Sequence, residues 1–465
     1  MSSDKSFIHF GCWNYNNCDS DNLAEPVKQE DTNITRVMKT IKKYIDTSIE
    51  KNRPMPEFLT VAGDNYYFIK DKKSDIEDKT KIFSPEFLLS GFDCLPKDIK
   101  KYVLIGNHDL ENIENPLKNP DCSILELQKG FASNVGNNMI LDVDRKGPIM
   151  HHVLDDSTIV IMLDTTMYET TEKSIKKVMK CYQRMFEMND LVVPGNDILL
   201  EKIMFMRENQ KQRLDQYISS LKAETIKNII VVGHHPLFDL KTKKDDDSGK
   251  IKTKEEVLPL LSELYYESIY APLQVVNPDI NYFYLCADLH QYQTGTVTIQ
   301  KASMTSLVIQ QYIVGTGGTE LEKMPYNHSK DVGASFTNEK YKIDYDIIPN
   351  ANEHTHGFLV CKLDTAKTFS AEFIPADSPE PIGGGSYRKT MKKRKTMKKR
   401  KTMKRSTMKR STIKRSTMKR STMKRSTMKR ILKKRIMKRT RKVKRFTKKI
   451  VKNKKGLKHR KSKRN

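Results

Sequence analysis

The last 80 residues of the chain, Ser386 to Asn465, contain no Asp or Glu, although 41 Lys and Arg residues lie there. A segment of one charge sign repels itself, and its repeated KRSTM units place the methionines on no common helical face. We therefore expect residues 387–465 to be a disordered, low-complexity basic tail. The stretch DSPEPIGGGS at 377–386 is rich in Pro and Gly, which predicts a flexible linker before the tail.

Long apolar runs are also missing from this sequence. None approaches the roughly 20 residues that a membrane-spanning helix needs, and residues 1–8 lack the features of a signal peptide. The seven cysteines are odd in number and scattered, so they fit no dense disulfide framework and favour a reducing compartment. These absences predict a soluble, intracellular protein without a transmembrane segment.

The rest of the chain has the opposite charge balance, because it keeps only 44 of the 85 basic residues against 57 acidic ones. Here near-continuous apolar runs, typical of strands buried on both faces, alternate with helix-compatible segments such as residues 34–49 and 201–222. The strands after residue 295 follow one another without helices, as in a second, antiparallel sheet. We expect residues 1–376 to form one α/β domain with four layers, α-β-β-α, in which helices flank a central β-sandwich.

Five polar motifs each directly follow an apolar run. In chain order they are GCWN (11–14), GDNYY (63–67), GNHD (106–109), GHHP (233–236) and CADLHQ (286–291). Open α/β sheets bind ligands at the ends of their strands, and Asp, Asn, His, Cys and Tyr side chains suit metals such as Zn²⁺, Fe and Mn²⁺. Any one motif alone is more often a turn, but the ordered set predicts a metal site.

This series resembles the calcineurin-like metallophosphoesterase superfamily, and most of all its purple acid phosphatase branch, over about residues 6–375. The resemblance implies a site for two divalent or trivalent ions (Fe, Zn or Mn) that clamp a phosphoryl group and activate a water molecule. The metal ligands that it implies are Cys12, Asp64 (bridging), Tyr67, Asn107, His234, Asp288 and His290. The catalytic residues that it implies are His108 as general acid, Asp109 as its orienting partner, and His235 near the substrate phosphate.

Two departures from the family pattern concern the first and last motifs. Cys12 stands where the family has Asp, and Asn14 stands where many relatives have His. Asp288 stands at the first histidine of the final motif. One interpretation is a swap of ligand types, because a thiolate can bind Zn²⁺ or Fe. The other is that Cys12 is a small buried residue in a site that has lost its first metal.

The function predicted from these observations is metal-dependent hydrolysis of a phosphoester, by a phosphatase whose nucleophile is a metal-activated water. The basic tail is expected to bind nucleic acid or another polyanion without sequence preference. It also fits nuclear targeting, and its resemblance to tails on proteins of large DNA viruses suggests virion association. The alternative is a catalytically degenerate phosphoesterase domain that serves as a nucleic-acid-binding or packaging protein, and a nuclease is a further option.

Overall fold

The structure is a computed structural model, and it describes residues 4–13, 33–65, 95–110, 122–141, 149–169, 178, 181, 197–244, 251–301, 305–318, 321, 332–348, 352 and 355–376. The described residues all belong to one compact unit, Met1–Gly385. The predicted linker and tail lie outside the described residues, and so do Tyr67 and Asn14.

The described residues form sixteen strands and a smaller number of helices. The strands are β1 (Lys5–Phe10), β2 (Pro56–Ala62), β3 (Lys100–Leu104), β4 (Met139–Ile140), β5 (Ile149–Asp155), β6 (Thr158–Leu163), β7 (Asn228–Val232), β8 (Phe238–Lys244), β9 (Ile251–Val257), β10 (Asn281–Cys286), β11 (Tyr292–Lys301), β12 (Leu307–Val314), β13 (Val332–Thr337), β14 (Tyr341–Ile348), β15 (Gly357–Leu363) and β16 (Phe369–Pro375). The α-helices are α1 (Asn33–Asp46), α2 (Ser123–Ala132), α3 (Asp197–Ser219), α4 (Pro259–Leu264) and α5 (Ala271–Gln274), with a π-helical turn at Tyr265–Tyr270 between the last two.

Two mixed sheets dominate the fold. One has six strands in the order β16-β15-β1-β2-β3-β4, and the other has eight in the order β13-β14-β11-β12-β10-β7-β6-β5. Strands β1 to β4 run parallel to one another, as do β6, β7, β10 and β12. The carboxyl ends of parallel neighbours meet at one edge of a sheet, so the polar motifs after these strands are brought together.

The side chains of successive strand residues point to opposite faces of the sheets, and this alternation builds the layers. Phe7 of β1 packs between the two sheets, together with residues of β6, β7 and β10. Its neighbour Ile8 packs on the outer face of the six-stranded sheet, against α1 and α2. Helices α3 to α5 cover the eight-stranded sheet. The predicted α/β class, a β-sandwich flanked by helices, is therefore confirmed.

The strands late in the chain differ from the prediction of one antiparallel sheet. Their mutual pairings are antiparallel, but β11 to β14 extend the eight-stranded sheet while β15 and β16 join β1 in the other. Apolar runs do not show which sheet a strand joins, because strand pairing depends on contacts between residues that are far apart in the chain.

The cysteine pattern also differs in one respect. Cys122 and Cys181 pair as a disulfide with their Cα atoms 4.7 Å apart, whereas Cys12, Cys286 and Cys361 remain thiols. Connectivity cannot be read from spacing alone, so this pair was not predicted. Among the described residues, no helix combines the length and the apolar character that a membrane crossing requires.

Candidate metal centre

Three candidate ligands occupy turns of the same unusual backbone geometry. Cys12 follows β1 with φ 51°, Asp64 follows β2 with φ 51°, and Asp288 follows β10 with φ 57°. Residues other than Gly seldom adopt this left-handed conformation, and such strain concentrates at functional sites. The glycine before Asp64 is left-handed as well, at φ 80°, so the chain reverses sharply as it leaves β2.

The first ligand group consists of Cys12, Asp64 and His290. Their ligand atoms all lie within 4.8 Å of one another, and the first two residues are buried. The backbone holds Cys12 in place, since its N–H donates to the carbonyl of Gly63 at 3.1 Å. A thiol, a carboxyl and an imidazole at this separation form a donor set that fits a zinc-like ion.

The second ligand group consists of His234, His235 and Asp288, whose ligand atoms also lie within 4.8 Å of one another. The Nδ1 atom of His234 lies 2.6 Å from the carbonyl oxygen of Ala62. A carbonyl oxygen only accepts, so Nδ1 carries the proton and neutral His234 presents its lone pair at Nε2. Within the described residues this buried Nε2 has no partner with hydrogen-bond geometry, as a metal ligand would require.

Asp64 contacts both groups. Its Oδ1 lies 3.3 Å from Nε2 of His234, although Asp64 itself belongs with Cys12 and His290. The same oxygen accepts a hydrogen bond from the backbone N–H of His108 at 2.9 Å. Asp64 is almost fully buried and lies between the two candidate groups of ligand atoms.

The charges around His234 favour a cation between the carboxylates of Asp64 and Asp288. Burial disfavours the imidazolium, but the charges of Asp64 and Asp288 outweigh it and raise the pKa of His234 to about 10. Oδ1 of Asp288 lies 3.6 Å from Nε2, so two carboxylates face this nitrogen. A proton there does what a bound metal ion would do, which is to neutralise buried negative charge.

Asn107 offers a further ligand atom beside the second group. Its side-chain oxygen is buried and has no hydrogen-bond partner within the described residues. A buried amide oxygen without a partner costs free energy, and a metal ion would satisfy it. Asn107 lines the same cleft as Asp288 and His235, and its role as a metal ligand stays a prediction.

Asp109 serves the architecture of the site in a way that the sequence did not predict. Its carboxylate accepts hydrogen bonds from the backbone N–H of Gly106 at 2.7 Å, from that of Asn65 at 2.9 Å and from Gln128 Nε2 at 2.7 Å. These bonds tie the turn after β2 to the turn after β3. Burial and the charge of Asp64 raise the pKa of Asp109 to about 7. Its predicted role of orienting the half-exposed His108 stays a prediction.

Thr165 and Glu169, which follow β6, hold His235 from both sides. Oγ1 of Thr165 accepts from the backbone N–H groups of His234 at 3.1 Å and His235 at 3.0 Å. With both lone pairs used, the hydroxyl donates its proton to Nδ1 of His235 at 3.0 Å. Nε2 of His235 therefore carries a proton, and Oε1 of Glu169 accepts from it at 3.2 Å. Both ring nitrogens are then in use, so in this arrangement His235 lies beside the second group without offering a lone pair to an ion. The sequence offered one signal, since LDTTM ends an apolar run like the other motifs.

The cleft beside the second group has a wall formed by the β8–β9 hairpin. The lining residues are Asn107, Glu169, His235, Pro236, Asp239, Lys241, Glu256, Val257, Leu258 and Asp288. Lys241 forms an ion pair with Glu256. Burial lowers the pKa of Lys241, but the carboxylates of Asp239, Asp288 and Glu256 outweigh it and hold the pKa above its ordinary value. The wall is therefore acidic overall, with one protonated lysine within it.

No family model matches the chain, and no curated protein matches it. Among solved structures, a phosphopantetheinyl hydrolase from Mycobacterium tuberculosis is similar over 68% of this chain and 91% of its own, with 11% sequence identity and a TM-score of 0.27.

Proposed function

We propose that this chain is a dinuclear metal-dependent phosphoesterase that hydrolyses small phosphomonoesters. The observation that carries the proposal is the position of Asp64 between two groups of ligand atoms. Cys12, Asp64, His290 and Tyr67 would hold one ion. Asp64, together with Asn107, His234 and Asp288, would hold the other. Fe, Zn and Mn are the ions that such nitrogen, oxygen and sulfur ligands suit.

The bound ions would supply Lewis acidity at the phosphoryl oxygens and a hydroxide at neutral pH. The chain's own residues bind and orient the rest of the substrate. With substrate bound, His235 donates its Nε2–H to a phosphate oxygen of the substrate. That oxygen replaces Oε1 of Glu169, which is the acceptor in the free protein. His108, half-exposed at the start of the short helix after β3, would donate a proton to the leaving oxygen.

The acidic cleft wall favours a small substrate over a nucleic acid. Glu169, Asp239, Glu256 and Asp288 line it against a single lysine. A polyanion would bring several phosphates to this wall and meet repulsion, whereas one phosphate group that binds at the metal ligands leaves its uncharged remainder against the hairpin. This argues for a phosphatase and against a nuclease that acts on duplexes.

The test is metal analysis joined to an assay with p-nitrophenyl phosphate. We expect about two ions per chain, loss of turnover after chelation, and recovery with Zn²⁺, Mn²⁺ or Fe. The variant Asp279→Ala changes an exposed carboxylate and should behave as the parent protein does. A protein that binds no metal would overturn the proposal. A protein that binds two ions and turns over no ester would favour the binding or packaging alternative.

We also propose that the tail, residues 387–465, binds nucleic acid through its charge. Its affinity for a random DNA duplex should fall steeply between about 50 and 200 mM salt, because counterion release drives such binding. Deletion of the tail should remove this binding and leave turnover of the small ester unchanged. Tight DNA binding by the truncated chain would contradict the assignment.

A further inference from the structure

A second pocket lies outside the candidate metal centre, between α1, the turn that follows it, and the end of β16. Four of its lining residues are cations, namely Lys39, Lys43, Lys51 and Arg53, and none of its described lining residues is acidic. Threonine and tyrosine hydroxyls complete its polar surface. The pocket therefore gathers positive charge on a body that is acidic as a whole.

Two buried donors in this pocket have no partner within the described residues. They are the hydroxyl of Tyr44 and Nε of Arg53. Tyr44 is only 5% exposed. The guanidinium of Arg53 lies over the Tyr44 ring at 4.2 Å, and its Nη2 donates to Thr47 Oγ1 at 2.8 Å. Arg53 is thus fixed in place by other contacts while its Nε–H remains unused, and an unused buried donor is costly.

The spacing of the lysines on α1 also favours an anion in this pocket. Lys39 and Lys43 are four residues apart, a like-charge pair that destabilises a helix. Lys42 has Asp46 at the same spacing, so that neighbouring pair is favourable, although Lys39, Lys42 and Lys43 are all exposed. The partial negative charge at the end of α1 attracts cations only within the last turn, and Lys39 lies nearly two turns before that end. A bound anion would lie close to Lys39, whose charge the helix end does not compensate.

We propose that this pocket binds a phosphate-type anion, either free phosphate or the phosphate group of a small phosphomonoester. A tetrahedral oxyanion has enough acceptor oxygens to take the Tyr44 hydroxyl and the Arg53 Nε–H together, and the Lys39 ammonium group lines the same pocket. Guanidinium groups suit phosphate in particular, because their fixed donors match its oxygens. The site needs no metal ion and is separate from the ligand groups around Asp64.

The test titrates inorganic phosphate into the metal-stripped full-length protein in chloride buffer and follows the melting temperature. Removal of metal ions prevents phosphate from binding at the metal centre, so the result does not depend on the proposed phosphatase activity. We expect a saturable rise in melting temperature. Arg53→Gln should raise the half-saturating phosphate concentration about tenfold or more, and Tyr44→Phe by roughly three- to tenfold.

Lys42→Gln is the matched control, because it removes one positive charge from the same helix outside the pocket. It should change the half-saturating concentration by less than about twofold, as expected for an exposed charge in salt. The tail is present in every variant, so its own phosphate binding cancels in the comparison. An equal effect of Lys42→Gln and Arg53→Gln would overturn the proposal, as would a melting temperature that phosphate does not raise.

Glycerol phosphate in the same titration separates the two sources of the anion. Stabilisation by both ligands assigns the pocket to phosphorylated molecules, and stabilisation by inorganic phosphate alone assigns it to the free anion. If Arg53→Gln does not fold, Tyr44→Phe still decides, because it removes a single unpartnered oxygen. An unchanged half-saturating concentration in Tyr44→Phe would count against the site.

Discussion

The two ligand groups around Asp64 differ in how they meet the solvent. Cys12 packs into the core between the sheets, in the same cluster as Ala62 and Ala287, and it is fully buried. Asp288 in the other group is 22% exposed and lines the open cleft. A closed group suits an ion that is held in place, and an open one suits an ion that keeps a position for water or substrate.

The groups also differ in what supports them. Backbone contacts between strand-end turns fix Cys12 and Asp64, such as the bond from Cys12 N–H to Gly63. Side chains fix the second group instead, because Thr165 binds both histidine N–H groups and the Tyr284 hydroxyl donates to the carbonyl of His235 at 2.8 Å. Substitutions should therefore separate metal retention from substrate handling.

Asp64→Ala should have the largest effect, because it breaks both groups at once. We expect loss of both ions and no detectable phosphatase turnover, measured by metal analysis and by p-nitrophenyl phosphate hydrolysis. Asp279→Ala, at an exposed carboxylate, controls for the loss of a charge. If Asp64→Ala retained both ions, Asp64 could not be the ligand that bridges them.

His108→Ala should leave both groups intact and impair only the chemistry. Loss of a general acid lowers kcat by roughly 10²–10⁴, while metal content stays at the level of the parent protein. A leaving group of low pKa, such as p-nitrophenol, should show a smaller loss than an alkyl alcohol, since it needs less protonation. Loss of metal in this variant would instead make His108 a ligand.

Cys12→Ser should disrupt only the first ligand group, which consists of Cys12, Asp64 and His290. We expect one of the two ions to be lost, with a fall in affinity of at least roughly 10–100-fold, the scale of changes around a metal ligand. Cys12→Asp should keep both ions, since Asp tolerates the left-handed backbone better than most residues and supplies a carboxylate. Full metal content and rate in Cys12→Ala would favour the interpretation of Cys12 as a buried core residue.

In the metal-free protein, His234 should contribute stability that is lost as pH rises. His234 has an ordinary pKa of 6.5 and a folded pKa of about 10, so the folded state binds the extra proton. That contribution is complete below pH 6.5 and is lost between about pH 6.5 and 10. Asp109, raised from 3.8 to about 7, acts in the same direction at lower pH.

The measurement is the melting temperature across this range, with and without metal. The loaded protein should show a flatter profile, because the ions replace the protons and their binding releases protons. Identical pH profiles of the melting temperature with and without metal would contradict the proton-for-metal exchange at His234.

Glu169→Gln should have the smallest effect on activity, confined to the second ligand group beside the open cleft. It removes the carboxylate partner of His235 but keeps the size of the side chain, so we expect a change in KM of roughly threefold to tenfold with metal content unchanged. Glu255→Gln, an exposed position on β9, is the control. Loss of metal in Glu169→Gln would show that the side-chain support reaches the ions as well.

Much of this site was accessible from the sequence, because apolar runs followed by polar turns are a local signal. The runs that end before Cys12, Asp64, Asn107 and His234 all became strands of the two sheets. The β8–β9 hairpin was not predicted, because the predicted strands were near-continuous apolar runs, whereas FDLKTKK alternates apolar and polar residues as a strand with one exposed face does. Lys241 and the acidic cleft wall were missed for that reason.

The sequence by itself determined the kinds of ligand available and their positions at strand ends, because residue type and hydrophobic periodicity are local properties. Only the tertiary structure decided that Asp64 faces His234 across two different sheets and that Thr165 binds two backbone N–H groups. These contacts join residues far apart in the chain. They exist because parallel strand ends from two packed sheets converge, and neither a motif nor its spacing specifies that convergence.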